Sequence, residues 1–325
     1  MSEWHTRLFE LMADGQFHSG QQLATDLAVS RTAVWKFLQQ CRDYGVEIES
    51  RHGLGYRLTQ AINLLDKQQI LDAMSRTARR DCQSITILQK IDSTNDYLGK
   101  KIKQHDIKGE VVLAEYQTNG RGRRGNRWIS PFASGIFLSL AWRMEIPNAN
   151  IGLLSLFTGV AVIRCLHSLG IPQAGLKWPN DIILQDKKLA GVLIDLHGEA
   201  NGPINIIIGV GMNYQLSPSG ENLIDQPVTG IQEHLGKNVS RNDIAAKLIS
   251  VLFTMLDDFS KEREKTLLDE WRKYDTCRGR AVTLYQADKK VSGYMQGINE
   301  QGHVLIEANN SVTSYASGEV SLRAN

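Results

Sequence analysis

The stretch Gly120-Arg-Gly-Arg-Arg-Gly-Asn-Arg-Trp128 sets three glycines and four arginines in nine residues. Glycine lets a backbone turn tightly and come close to a ligand. Guanidinium presents a planar fork of donors, so arginines placed between glycines make a clamp for phosphate or carboxylate. Gly120, Gly122 and Gly125 also satisfy G-x-G-x-x-G, the dinucleotide fingerprint. That motif requires a strand before the loop and a helix opening directly after it. The strand is present, because Glu110-Val-Val-Leu-Ala-Glu-Tyr116 is short, mostly apolar and β-prone. The helix is not: the chain continues with Trp128-Ile-Ser-Pro131 and then Gly135-Ile-Phe-Leu-Ser-Leu-Ala-Trp142, a second strand-like run. A loop between two strands fits an anion-binding loop that folds over its ligand better than a Rossmann turn.

The 325-residue length suits roughly two domains of about 150 residues each. A net charge of +2 argues against a generally basic, non-specific nucleic-acid binder, so any such contact must be a local patch. Cys41, Cys82, Cys165 and Cys277 are scattered, with no C-x-x-C. They read as buried thiols in a reducing cytoplasm, not as a disulfide framework or zinc site. The N-terminus has no apolar leader, and the sequence shows no run of about 18 apolar residues, which implies a cytoplasmic chain without membrane contact.

Residues 1–60 read as three short helices and a hairpin. Leu8, Leu11 and Met12 form a first helical stripe, and Ser19 with Gln22 three residues on resembles a capping box for a second. Ser30 is a good N-cap for a third helix, whose Val34, Phe37, Leu38 and Cys41 share one face. Arg31, Thr32, Trp35, Lys36 and Gln39 then face outward, the arrangement of a helix-turn-helix. Strand-like runs flank Arg51-His-Gly-Leu-Gly55, a glycine turn that makes a wing. Ser30, Arg31, Thr32, Trp35, Lys36 and Arg51 are the candidate DNA contacts. The six bases of this segment are offset by seven acids, so such a domain binds weakly alone and needs two copies. A small helical interaction module is the bland alternative.

From about Leu64 strands and helices alternate. Candidate strands are Ser84–Ile91, Ile182–Leu184, Leu189–Asp195 and Ile204–Val210; candidate helices are Ile151–Leu169, Arg241–Lys261 and Leu267–Tyr274. A mixed sheet with helices on one side suggests an α+β domain. The last fifty residues are short β-prone pieces split by glycines, the pattern of a small β-barrel. The fold class is therefore α+β multidomain, with boundaries at 1–62, 63–274 and 275–325.

Four separated segments hold polar groups in apolar or glycine-rich surroundings: Asp92-Ser-Thr-Asn95, Gln117-Thr-Asn-Gly-Arg-Gly-Arg123, Lys177-Trp-Pro-Asn-Asp181 with Lys188-Leu-Ala-Gly191, and Gly209-Val-Gly-Met-Asn213. Each could be structural alone, Ser93 as a cap or Asp181 as a turn residue. In this order and spacing they resemble the biotin protein ligases. With the helix-turn-helix, the whole chain is similar to the bifunctional bacterial group that joins a biotin ligase to a biotin-operon repressor. Asn126 is a departure, since members often carry a basic residue there; Arg127 is the neighbouring cation.

The resemblance implies a winged helix-turn-helix, a biotin/lipoate-ligase-like catalytic domain and an SH3-like barrel. It implies a biotin–[acetyl-CoA-carboxylase] ligase that uses ATP and Mg²⁺ and forms biotinyl-5′-AMP. Ser93, Thr94, Asn95 and Gln117 would meet the ureido ring, Trp128 would supply apolar wall, and Gly120, Gly122, Gly209 and Gly211 backbone close to biotin. Biotin's carboxylate and the α-phosphate are both anions and repel in a dry pocket. Arg121, Arg123 and Lys188 would neutralise them. Arg124, Asn180 and Asn213 join Arg123 and Lys188 around the nucleotide, and Lys177 shapes the site. Asp181, read as exposed in a turn, would receive the attacking lysine amine. Lys188, Arg123 and Asp181 are the catalytic set; Mg²⁺ would ride on the phosphates and water, with no metal-ligand set in the protein. Implied partners are the biotin carboxyl carrier protein of acetyl-CoA carboxylase, an inverted-repeat operator, and a second copy once adenylate is bound. Three alternatives stay open: a non-catalytic biotin sensor, a lipoate ligase, and a ligase whose N-terminal domain no longer represses.

Overall fold

A computed structural model describes residues 3–104, 106–144, 151–198, 202–216, 224, 226–235, 239–261, 263–286, 289–317 and 320–324. The N-terminal segment folds as α1 (Glu3–Met12), α2 (Gly20–Asp26), α3 (Arg31–Gln40) and the hairpin β1 (Ile48–Arg51) with β2 (Gly55–Leu58). Its helix starts are fixed locally: the Ser19 and Ser30 hydroxyls accept the N–H groups of Gln22 and Ala33 at 3.0 and 3.1 Å. Val34, Phe37 and Leu38 of α3 bury against Leu8, Phe9 and Met12 of α1. The winged helix is present as the periodicity required.

Next come α4 (Lys67–Ala73), α5 (Arg76–Asp81), β3 (Ser84–Leu88), α6 (Thr94–Lys101), β4 (Glu110–Ala114) and β5 (Gly135–Met144). Then come α7 (Leu154–Ser168), β6 (Gly175–Lys177), β7 (Asp181–Leu184), β8 (Lys187–Gly198), β9 (Ile204–Asn213), α8 (Arg241–Ser260) and α9 (Glu264–Lys273). One seven-stranded sheet runs β3-β4-β5-β9-β8-β7-β6, with β3 and β4 parallel and the other neighbours antiparallel. The short elements α4, α5 and β6 are too brief to show a period in the sequence.

The expectation of helices on one side needs correction. Val111, Leu138, Leu140, Ile206 and Ile208 pack with α7 and α8 in the main core. Their alternate neighbours Val112, Ala141 and Ile207 pack with Leu98 of α6 on the opposite face. Side chains of a strand alternate between faces, so the sheet is two-sided. On that second face, β5 and β9 align Ser139 with Gly209 and Phe137 with Gly211, while β8 brings Leu193 to Gly209 and Gly191 to Gly211. The alternation Gly209-Val-Gly-Met212 thus gives branched and thioether side chains to the core and bare backbone to the other face.

Helix α7 is strongly apolar, although Ser155, Thr158, Arg164 and His167 interrupt the run. Residues Ile151–Ser168 have a mean hydropathy of 1.6 over 18 residues, enough by length and composition for a membrane span. Two-thirds of that window is buried, and α7 forms the middle of the main core. All four cysteines are unpaired; Cys82 is only partly buried, unlike the other three.

The C-terminal segment is a five-stranded antiparallel sheet, the counterpart of the expected small barrel, in which the third strand in chain order lies between the second and the fourth, and the first between the second and the fifth. Its strands are β10 (Ala281–Gln286), β11 (Lys289–Ile298), β12 (Val304–Ala308), β13 (Ser311–Tyr315) and β14 (Val320–Ala324). Val282, Leu284, Met295 and Ile306 join the main core.

Buried contacts tie the linker at residues 63–65 to the sheet, and Phe132 joins the N-terminal unit to it. The Arg241–Glu115 ion pair is fully buried at 2.7 Å, and Arg241 also donates to the carbonyls of Asn63 and Gly135. The Leu65 N–H donates to the other Glu115 oxygen at 2.6 Å, so the linker is held to the sheet. Phe132 meanwhile enters the winged-helix core, stacked on Phe9 at 4.5 Å.

Candidate functional site

A cleft of about 930 Å³ opens over the glycine-bearing face of the sheet. Its floor is a hydrogen-bonded set of neutral groups. Ser93 caps α6, and Thr94 gives both its N–H and its hydroxyl to Gln117 Oε1 at 2.9 and 3.2 Å. Gln117 Nε2 donates to Ser130 Oγ at 2.9 Å. The Ser139 hydroxyl lies 2.7 Å from Thr94 Oγ1 and 2.5 Å from Asn95 Oδ1. A Cβ at Gly209 would collide with the Asn95 amide, and one at Gly211 with the Trp128 indole. Glycine at both positions is therefore a matter of space, not of backbone angle.

The arginine loop folds over this floor as a small hairpin, with Gly122 N–H donating to Asn126 O at 2.7 Å and Trp128 N–H to Gly120 O at 2.9 Å. Arg124 takes a left-handed φ of 56°, beside Gly125 at 76°. Trp128 lies across Gly191 and Gly211, and its Nε1 has no hydrogen-bond partner among the described residues. The loop joins two strands, as its sequence required.

The three expected cations differ in what surrounds them. Lys188 lies 2.7 Å from Asp181, 5.4 Å from the centre of the Trp128 ring, and both charged side chains are about 15% exposed. Its backbone is held on both sides, by Pro227 O and by Thr229 N–H. Arg123 rests on neutral partners, Asn180 Oδ1 at 3.3 Å and the Ser317 carbonyl. Burial pushes its pKa down and Arg124 adds to that, with Asp181 opposing. Arg121, in contrast, is held by Asp96 at 2.7 Å and Asp195 at 2.8 Å. Burial works against its charge, yet the two carboxylates outweigh it and hold the guanidinium protonated.

Two expectations change. Arg121 lines the cleft but presents a neutralised charge. Asp181 is not an exposed turn residue: it opens β7, is half-buried, and pairs with Lys188. Asn213 lines the cleft, but its amide Nδ2 is engaged by the carbonyls of Lys188 and Thr229 at 3.3 and 3.2 Å. Lys177, Asn180, Arg124, Asn126 and Arg127 line the cleft. Arg127 also donates to the Thr118 carbonyl at 3.1 Å. Ser139, Ser130, Asp96 and Asp195 are site residues that the sequence pattern does not single out. Ser139 carries a signal, being the one polar residue inside Gly135-Ile-Phe-Leu-Ser-Leu-Ala-Trp142.

On the winged helix, Arg31, Thr32, Trp35 and Lys36 are exposed along α3, Trp35 by 50%. Ser30 is engaged as the cap. Arg51 is exposed at the wing, where Glu49 accepts from it at 2.6 Å and from Arg57 at 2.7 Å.

The Biotin/lipoate A/B protein ligase family matches residues 87–213, an HTH domain residues 6–57, and the Biotin protein ligase C terminal domain residues 279–323. Fold and cleft thus define the class, a biotin/lipoate-type protein ligase headed by a helix-turn-helix domain. Among curated relatives, the bifunctional ligase/repressor BirA of Escherichia coli is 40% identical, over 98% of this chain and 97% of the relative. That of Bacillus subtilis is 26% identical over 95% of each. Among solved structures, the Aquifex aeolicus biotin protein ligase in complex with biotin and ATP matches with a TM-score of 0.65 and 28% identity. It covers 75% of this chain and all of that one. The chain belongs to the BirA family of bifunctional ligase/repressors.

Proposed function

We propose that the protein joins biotin to a lysine of the biotin carboxyl carrier protein of acetyl-CoA carboxylase, through biotinyl-5′-AMP made from biotin and ATP. The observation that carries this reading is the polarity of the cleft. A neutral donor–acceptor floor at Thr94, Asn95 and Gln117, backed by the buried Ser139 hydroxyl, suits a ureido ring, and the cations Lys188 and Arg123 line the same cleft. Lys188 and Arg123 offset the repulsion between carboxylate and α-phosphate and stabilise the charge that develops as they join. The carboxylate oxygen attacks the α-phosphorus, the bond to the bridging oxygen breaks, and pyrophosphate leaves. The Trp128 indole N–H, costly to bury unpaired, is suited to donate to an oxygen of the bound substrate. Closure of the arginine loop excludes water from the mixed anhydride.

In the second half-reaction the neutral lysine amine attacks the acyl carbon, the bond from that carbon to the phosphate oxygen breaks, AMP leaves, and the amine's surplus proton is lost to water. Asp181 orients Lys188 first, and the incoming amine after it. Mg²⁺ fits as a companion of the ATP phosphates, since the carboxylates that line the cleft, Asp181 and Asp186, are already engaged by Lys188 and Arg280. When bound it supplies charge to the triphosphate.

The second role is repression of biotin-synthesis genes by an adenylate-bound homodimer that sets two winged helices on an inverted repeat. It works if the adenylate binds the dimerising state more tightly. Four unpaired thiols suit a cytoplasmic setting. The functional units are residues 1–62, 63–274 and 275–325. The test is binding to an inverted repeat upstream of the host's biotin-synthesis genes with no ligand, biotin, ATP, or both with Mg²⁺. Tight binding with both alone is expected. A preparation that labels carrier protein but never binds the repeat would leave the ligase and remove the repressor.

A further inference from the structure

Asp195 lies toward the C-terminal end of β8, pairs with Ile207 across the sheet, and its side chain is 17% exposed. Its Oδ2 accepts from Asn95 Nδ2 at 2.9 Å and from Arg121 Nη1 at 2.8 Å; its Oδ1 faces Arg121 Nη2 at 3.3 Å. These bonds fix the Asn95 amide, because the NH₂ end goes to the carboxylate and the oxygen end is left for the Ser139 hydroxyl. The amide is in turn pressed on Gly209, where a Cβ would strike it. Arg121 is the second residue of the arginine loop, and Asp96 holds it from the first turn of α6. One carboxylate therefore touches both the floor of the cleft and the start of its lid.

We propose that Asp195 is a positioning residue that couples the two halves of the ligand site. It locks Asn95 into the floor and draws Arg121, with the opening turn of the loop, over that floor. Arg121 thereby acts as a latch and not as a phosphate neutraliser. This rests on the reading of the cleft as the site where biotin is adenylated.

The test uses the full chain and three readouts: KM for biotin, KM for ATP, and labelling of a bystander protein by escaped adenylate. In Asp195→Asn one acceptor oxygen becomes an NH₂ facing donors. The biotin KM should rise about tenfold, the scale of a lost hydrogen bond to a charged group. The ATP KM should stay within about twofold, and bystander labelling should increase. In an Asn95→Ala background the same substitution should leave the biotin KM where it is yet still raise labelling. In an Arg121→Leu background it should do the reverse. An unchanged biotin KM on Asp195→Asn in the otherwise wild-type chain, or additive effects in both backgrounds, overturns the proposal, as does a fall in melting temperature with no KM split. If Asp195→Asn does not fold, Asp195→Glu, which keeps the charge but displaces it, carries the same cycle. A wild-type chain that forms no adenylate from biotin and ATP would overturn the reading of the site instead.

Discussion

Replacing Lys188 by alanine tests the chemistry most directly, because two effects of that change can be separated. The first is loss of an ammonium placed in a poorly exposed cleft, 2.7 Å from Asp181. Removing one such donor to a developing negative charge typically costs about 2.7–4 kcal/mol, or about 10²–10³ in rate. The second is that Asp181 is left unpaired where phosphates arrive. Two like charges about 4 Å apart repel by roughly 4 kcal/mol at an effective dielectric of about 20, an upper bound because water can enter the vacated space. Lys188→Ala should therefore slow adenylation by at least about 10². Lys188→Ala with Asp181→Asn should be faster than Lys188→Ala alone. The assay is single-turnover pyrophosphate release with biotin, ATP and Mg²⁺. Adenylation by Lys188→Ala within about tenfold of wild type would refute the assignment. A double variant slower than the single would show that Asp181 does more than hold Lys188. Asp181→Asn alone then divides the roles: slow transfer to carrier protein with near-normal adenylation is the mark of a group that orients the amine.

Other perturbations have distinct signatures. Arg123→Gly removes the tie from the loop to Asn180 and the Ser317 carbonyl, so adenylate should escape and label bystander lysines; strict transfer to one carrier lysine would count against the lid. Glu115→Ala leaves the fully buried Arg241 uncompensated and the Leu65 N–H without its acceptor, and should cost about 3–5 kcal/mol in thermal or denaturant unfolding. An unshifted transition would contradict it. Burial pushes the Asp275 carboxyl up to about 6, above its ordinary 3.8. Between those values the folded chain holds a proton that the unfolded chain releases. Its stabilising contribution is complete below about pH 4, falls through the window to pH 6, and is gone above it, a change of at most about 3 kcal/mol. Asp275→Asn should flatten the pH–stability profile in that window and raise the melting temperature at pH 7.

Much of the molecule is legible in the chain. The winged helix follows from Ser19 and Ser30 as caps and from the spacing of Val34, Phe37 and Leu38, all local signals. The arginine loop reads correctly as joining strands, because Pro131 and a second β-prone run come after it. The polar floor is partly visible as Ser93, Thr94, Asn95 and Gln117, while Ser139 is hidden in an apolar strand. Two of the expectations that the structure changes concern charge partners that only the fold brings together. Arg121 looks like a bare cation until Asp96, 25 residues away, and Asp195, 74 residues away, prove to hold it. Asp181 looks like a turn tip until β7 pairs with β8 and sets it against Lys188.

The sequence by itself determined the units, their order, the helix starts and the residue types available to the cleft, because propensity, capping and periodicity act over a few neighbours. Tertiary structure alone decided which charges neutralise one another and which face of the sheet became a floor. It also decided that Phe132, four residues past the arginine loop's Trp128, belongs to the core of another unit. Strand register settles the first two, since it brings Phe137, Gly211, Gly191 and Asp181 into one row across four strands. A slip of one residue in any of those strands would send that strand's side chains to the opposite face and dissolve the site.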